Sequence, residues 1–309
     1  MIPAPDFLDH RVTERRNPRT VALDIATPLE LVDVLNAEDR TVPAAVHAAR
    51  AAIAALMERV AQAFHAGGRL LYVGAGTSGR LGALDAAECP PTFGTPPEMV
   101  IGIIAGGPSA LSQSQEGAED DTAAARRAMD DHAVTARDVV IGIAASGTTP
   151  FVRSALERAR SLGATTALVT CADPPEHLTS ICEYVIVVHV GPEALTGSTR
   201  LKAGTATKLV LNTLTTGAMA LLGKTYGNLM VDLQVLSAKL QDRGERIVME
   251  VGGVKRERAR AALSAAGGSV KLAIVMVRRN VDASAARRLL EQVGGVIRRA
   301  IGDPPPVSS

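Results

Sequence analysis

Aromatic residues make up only 2% of this chain and tryptophan is absent. That excludes the stacking platforms by which single-stranded nucleic acids and long glycans are gripped. Charge of one sign is also missing, since 33 basic residues face 32 acidic ones for a formal net charge of +1. No bulk field is left for a polyanion, and nucleic acid is not an expected partner. The three cysteines, Cys89, Cys171 and Cys182, are too few and too scattered for a disulfide framework or a four-ligand zinc site. The six histidines show no His-x-x-x-His spacing, so no metal and no cofactor are expected. No stretch reaches the ~18 consecutive apolar residues of a membrane span, and Met1 to Asn17 carries no apolar targeting core. The expectation is a cytoplasmic protein with no membrane partner, acting on a small polar ligand.

The 309 residues contain a series of short apolar, β-branched runs, each followed by a turn rich in small residues and then a helical stretch. They are Arg69–Val73, Met99–Ile104, Val139–Ala144, Thr166–Val169 and Val185–Val190. Runs without alternation suit strands buried on both faces, and strand–helix alternation implies a parallel sheet covered by helices. The fold class expected is α/β, a doubly wound parallel sheet flanked by helices, with a small all-helical C-terminal domain. Helices are expected over Pro28–Asn36, Val42–Phe64 and Ala203–Leu222, and the pattern stays helical from Asn228 onward, punctuated by Gly252-Gly253, Gly267-Gly268 and Gly294-Gly295. The division expected is an N-terminal helical arm over 1–44, the sheet domain over 45–225, the helical domain over 226–301 and a flexible tail over 302–309.

Open α/β sheets bind ligands beyond the carboxyl ends of their strands. The loop after the first strand reads Gly74-Ala75-Gly76-Thr77-Ser78-Gly79-Arg80, and the loop after the third reads Ala145-Ser146-Gly147-Thr148-Thr149-Pro150. Neither has the Lys-Ser/Thr ending of a triphosphate loop. Together, Gly76, Thr77, Ser78, Ser146, Gly147, Thr148 and Thr149 could surround one phosphate monoester with hydroxyls and backbone N–H groups.

These two loops resemble those of the sugar isomerase (SIS) fold, which binds phosphosugars. The longer string LYVGAGTSGRLGALDAAECPPT, residues 71–92, is similar to the N-acetylmuramic acid 6-phosphate etherase family. So are TERRN at 13–17, EGAED at 116–120, TGSTRLKAGT at 196–205 and YGNLMVD at 226–232. Thr148 departs from the family pattern, in which arginine is common. The resemblance implies hydrolytic cleavage of a D-lactyl ether by elimination and water addition, with Glu88 and Glu119 catalytic and a homodimer as the assembly. Read from the residues alone, Glu88 closes a helix stopped by Pro90 and Pro91, where the negative dipole end disfavours an ionised carboxylate. Glu119 belongs to the acidic run Glu116–Asp121; such a run is usually a solvated face, yet clustered like charges also raise pKa values and this one follows a ligand-side strand end. Further substrate contacts are expected from Glu116, Glu193, Ser198, Arg200 and Lys202. Two other activities fit the same fold: phosphosugar sensing, as in the similar glucokinase regulatory protein, and aldose–ketose isomerisation.

Overall fold

The computed structural model describes residues 11–233 and 238–304, and the last five positions of the expected tail lie outside them. The chain forms two compact units, one of Met1–Ala87 with Glu98–Thr215, the other of Glu88–Pro97 with Thr216–Ser309.

The first unit is built on five parallel strands: β1 (Leu70–Gly74), β2 (Val100–Ile104), β3 (Val139–Ile143), β4 (Thr165–Thr170) and β5 (Tyr184–Val187). Their spatial order is β2-β1-β3-β4-β5, with Tyr72 in register with both Gly102 and Ile141. All residues of β1, β3 and β4 are buried, which is why these strands read as unbroken apolar runs. Helices α1 (Pro28–Asp39), α2 (Val42–Ala48) and α3 (Arg50–His65) precede the sheet; α4 (Gly76–Phe93), α5 (Thr122–Asp131), α6 (Pro150–Ser161), the short α7 (Glu176–Thr179) and α8 (Lys202–Leu221) follow successive strands. The single helix expected over Val42–Phe64 is broken at Ala49, whose φ of −84° and ψ of 3° leave the helical region.

Helices cover both faces of the sheet. On one face Leu71, Val73, Val140 and Leu168 pack with Met129 of α5 and with Phe151, Val152 and Leu156 of α6. On the other, α4 approaches so closely that a methyl group on Gly102 would lie 2.4 Å from the Cα of Ala83, a contact only glycine permits. Because β1 sits between β2 and β3, the chain reverses direction across the sheet there. The crevice at the exits of β1 and β3 is the switch point where such folds take ligands.

Helix α4 does not stop at Glu88. It runs through Pro90 and Pro91 to Phe93, closing with Gly94 N–H donating to Pro90 O at 2.9 Å. Two N–H groups are forgone, but Cys89 and Phe93, one turn apart, are both buried, and Lys224 Nζ donates to the Phe93 carbonyl at 3.0 Å. Glu88 therefore lies more than a turn inside the helix, and the C-terminal dipole argument for it loses its basis.

The second unit holds the hairpin β6 (Thr225–Tyr226) and β7 (Leu229–Met230), followed by α9 (Ala238–Gly252), α10 (Arg256–Ala265), α11 (Val270–Arg279), α12 (Ala283–Gln292) and α13 (Ile297–Ile301). The helices fall where the apolar spacing and the glycine pairs place them. The hairpin corrects the expectation that everything from Asn228 onward is helical; its two-residue turn, Gly227-Asn228, with Gly227 at a φ of 56°, is hairpin chemistry. Val231, Val248, Leu263, Ile274, Val275 and Ile297 are among its core residues. Asp232, two residues past β7, accepts from Lys271 at 2.8 Å and Lys224 at 3.3 Å. Tyr226 donates its hydroxyl to Asp303, which also pairs with Arg278, and the Arg298 guanidinium lies 4.8 Å from the Tyr226 ring centre. The YGNLMVD string is thus a staple of this unit. Among the described residues no single helix is long and apolar enough to cross a membrane.

Candidate active site

Both hydroxyl-rich loops, at the exits of β1 and β3, stand at the switch point. Thr77 and Ser78 lie half-buried in the first turn of α4, just past Gly76. Across the crevice, the Ser146 and Thr148 hydroxyls are 3.0 Å apart, and Thr148 N–H points at Ser146 Oγ at 3.4 Å. Gly147 makes this turn possible: its φ is 71°, and a methyl group there would lie 3.1 Å from the Cα of Pro174. Thr149 is the residue before Pro150 at the start of α6, and its side chain does not cap that helix. The hydroxyls and the first-turn N–H groups of α6 are therefore available to an anion.

A third element joins them. The first turn of α8 lies between the exits of β4 and β1: Cys171 Sγ is 3.9 Å from Ala203 O, and a methyl group on Gly204 would lie 3.6 Å from the Thr77 methyl carbon. Cys171 N–H in turn donates to Ala145 O at 3.0 Å, at the start of the third-strand loop. Ser198, Thr199 and Arg200 lie just before the first turn of α8 in the chain. Arg200 is exposed.

Lys202 and Glu193 are placed differently from the substrate contacts expected of them. Lys202 is completely buried, and its Nζ donates to Glu38 Oε2 at 2.7 Å. Glu193, 1% exposed, accepts from the backbone N–H groups of Lys202 and Ala203 at 2.9 Å each. Burial pushes the Glu193 carboxyl up from its ordinary range, opposed by those two amides. One carboxylate thus occupies the N-terminus of α8, leaving the starts of α4 and α6 for an outside anion.

The acidic run meets the first loop in a cleft of ≈ 170 Å³ lined by Gly76, Arg80, Ser114, Glu116 and Glu119 among others. Glu119 is exposed on the helical turn Ala118–Asp120, which packs against α6. Glu116 and Glu119 do not share a helical face, because Gly117, at a φ of 72°, breaks the chain between them. Arg80, to which the sequence assigned no task, spans the cleft's rim, donating from Nε to Leu111 O at 3.2 Å. A larger groove of ≈ 630 Å³ follows the edge strand β2 beside α5, but it is lined by neither Glu88 nor Glu119 and by no residue of the two hydroxyl-rich loops. The chemistry points to the smaller cleft. Glu88 is exposed on α4, at the start of the second unit's segment Glu88–Pro97.

Glu38 carried no signal in the sequence, and Asn17 only its place at the end of the string TERRN, with no task assigned to it. Glu38, 3% exposed, accepts from Asn17 Nδ2 at 2.8 Å, from Arg19 and from Lys202. The Arg19 guanidinium, helped by Lys202 and Asn17, holds its carboxyl down at about 2 against the opposing effect of burial.

Comparison with known proteins gives this arrangement a family. Residues 52–160 match the family described as the glucokinase regulatory protein N-terminal SIS domain. The N-acetylmuramic acid 6-phosphate etherase of Serratia proteamaculans is 53% identical over 290 residues, covering 94% of this chain and 97% of that one. Those of Mesorhizobium japonicum and Rhizobium rhizogenes are each 50% identical, over 96% and 95% of this chain and equal shares of their own. With half its residues identical across nearly its whole length, this chain belongs to the N-acetylmuramic acid 6-phosphate etherase family.

Proposed function

We propose that this protein cleaves the D-lactyl ether of N-acetylmuramic acid 6-phosphate with water, giving N-acetylglucosamine 6-phosphate and D-lactate. The observation that carries the reading is the cleft in which Glu119 meets the first phosphate loop at the switch point of the sheet. The phosphate is held by Ser78, Thr77, Ser146, Gly147, Thr148 and Thr149 with the first-turn amides of α4 and α6. Hydroxyls and amides without a surrounding lysine or arginine cage suit one monoester better than a triphosphate. Ser198 and Arg200 reach the same end, where Arg200 can meet phosphate or the lactyl carboxylate.

With the sugar ring open, the C1 aldehyde acidifies the proton at C2. Glu119 takes that proton, the C3–O bond breaks, and Glu88 protonates the departing lactyl oxygen. Water then adds to C3 of the unsaturated aldehyde, and the proton returns to C2, so the sum is one water consumed and one lactate released. Glu116, on the same cleft, orients the sugar. We assign this chemistry to the 45–225 region, with 1–44 as an arm and 226–301 as a helical domain.

The setting we propose is cytoplasmic, and the assembly a homodimer. Val21, Ile25, Leu29 and Val32 on the arm are each at least 60% exposed, an apolar strip that a second copy would cover.

The deciding experiment measures D-lactate released from N-acetylmuramic acid 6-phosphate without added metal. Glu88→Gln and Glu119→Gln are each expected to lower turnover by about 10²- to 10⁴-fold while phosphosugar binding persists. Full turnover in either variant would remove that residue from the mechanism, and no lactate from the unaltered protein would end the reading.

A further inference from the structure

The N-terminal segment Thr13–Thr20 is fastened to the loop between β5 and α8 at three places. Gly197 N–H donates to Thr13 O at 3.1 Å, Asn17 Nδ2 donates to Pro192 O at 3.3 Å, and Thr20 Oγ1 donates to Ala194 O at 2.7 Å. Thr13, Asn17 and Thr20 are all buried; the Thr20 bond is shielded from water, the Asn17 bond partly so, and Gly197 is exposed. The remaining residues of the segment are half-buried or exposed, a division that a merely trailing terminus would not show.

Asn17 is the joint of this brace. Its two amide hydrogens go to Pro192 O on the loop and to Glu38 Oε2 on α1, and its Oδ1 accepts from Arg19 N–H at 3.0 Å. Glu38 also holds Lys202, in the first turn of α8, so one buried carboxylate is tied to both ends of the loop. Between those ties run Ser198, Thr199 and Arg200, and the turn that follows them meets Thr77 of the phosphate loop.

We propose that Asn17 is a positioning residue of the substrate site, acting through residues 191–201 to hold Ser198 and Arg200 where the phosphosugar needs them. The inference rests on the function proposed above and adds the N-terminal segment to that site. A connection without regular secondary structure samples many arrangements, and a ligand that selects one binds more weakly by the fraction populated. The brace raises that fraction before substrate arrives. Its loss should weaken binding and leave the chemistry of bound substrate nearly as it was.

The test uses the full chain carrying Asn17→Ala, with KM and kcat for lactate release and, by calorimetry, Kd for N-acetylglucosamine 6-phosphate. KM and Kd are expected to rise about tenfold, as when the competent arrangement falls to about a tenth of the population, with kcat within about twofold. A folded variant with unchanged KM and Kd overturns the proposal, as does a fall in kcat at constant KM. Lost thermal stability alone would not move Kd of the folded fraction, so the split separates positioning from support. Should Asn17→Ala fail to fold, Thr20→Val decides, since it leaves Asn17 in place and removes the hydroxyl's bonds to Ala194 O at 2.7 Å and Asn17 O at 3.4 Å. It should raise Kd about threefold, and an unchanged Kd there overturns the brace. If the unaltered protein binds the phosphosugar but releases no lactate, the function reading fails while the Kd comparison still judges Asn17.

Discussion

Lys202 Nζ and Glu38 Oε2 meet at 2.7 Å with both side chains almost wholly removed from water, at 1% and 3% exposure. Taking each charge out of water costs several kcal/mol, and the pair is tolerated because Arg19 and Asn17 satisfy the rest of the carboxylate. Arg19 and Asn17 would still hold Glu38 without Lys202, whereas removing the carboxylate strands the buried Lys202 ammonium. Glu38→Leu is therefore expected to cost about 3–5 kcal/mol, measured as a shift in the urea unfolding midpoint. Glu38→Leu combined with Lys202→Met should cost much less, because no uncompensated charge remains and Arg19, already 62% exposed, returns to solvent. Equal losses in the single and double variants would contradict this.

The same carboxylate sets an acid limit on stability. Folded Glu38 is held down at about 2, first by Arg19 and then by Lys202 and Asn17, whereas in the unfolded chain it protonates near ~4.3. Between those values the unfolded state binds more protons, so the contribution is fully present above the unfolded value and disappears as pH falls through about 2. Glu245, in the second unit, is also held at about 2, by Arg260 above all and by Arg256. Melting temperature should decline steadily from about pH 5 to 2. Glu38→Gln should flatten that slope; an unaltered slope would assign the acid sensitivity elsewhere.

The strands and the helical end of the chain were legible because burial on both faces writes an apolar run, and glycine pairs write helix ends. What the sequence concealed lay in packing and pairing that residue types do not announce. Pro90 and Pro91 argued for a helix stop, yet the burial of Cys89 and Phe93 carries α4 past them. Lys202 looked like a free cation because its counter-ion stands 164 residues earlier in the chain. Glu193 looked like a sugar contact because nothing local announces that its oxygens close the start of α8. The hydroxyl-rich turns at the strand exits were readable because their residue types are local chemistry.

The tight seam between β2 and α4 gives a packing prediction. A methyl group at position 102 would lie 2.4 Å from Cα and 2.7 Å from N of Ala83, both backbone atoms that no side-chain rotation can move. Gly102→Ala should cost about 1–3 kcal/mol by overpacking. Because α4 also carries Thr77 and Ser78, the displaced helix should raise KM as well. A denaturant midpoint within error of the unaltered protein would show that the seam yields more easily than the geometry implies.

Ser78 and Ser146 stand on opposite sides of the switch-point crevice, one in the first turn of α4 and the other in the turn before α6. A neutral hydroxyl donating to a phosphate oxygen contributes about 1.5–3 kcal/mol, since the acceptor is charged. The phosphate at C6 is remote from the bonds that change at C2 and C3, so the contact is nearly the same in the bound substrate and the transition state. Uniform binding of that kind appears in KM and not in kcat. Ser78→Ala together with Ser146→Ala should therefore raise KM by at least about 10-fold, with kcat for lactate release changed by less than about threefold. Inorganic phosphate, competing for the same hydroxyls, should inhibit the double variant less than the unaltered protein. A drop in kcat at constant KM would mean that these hydroxyls serve the reacting carbons and not the phosphate.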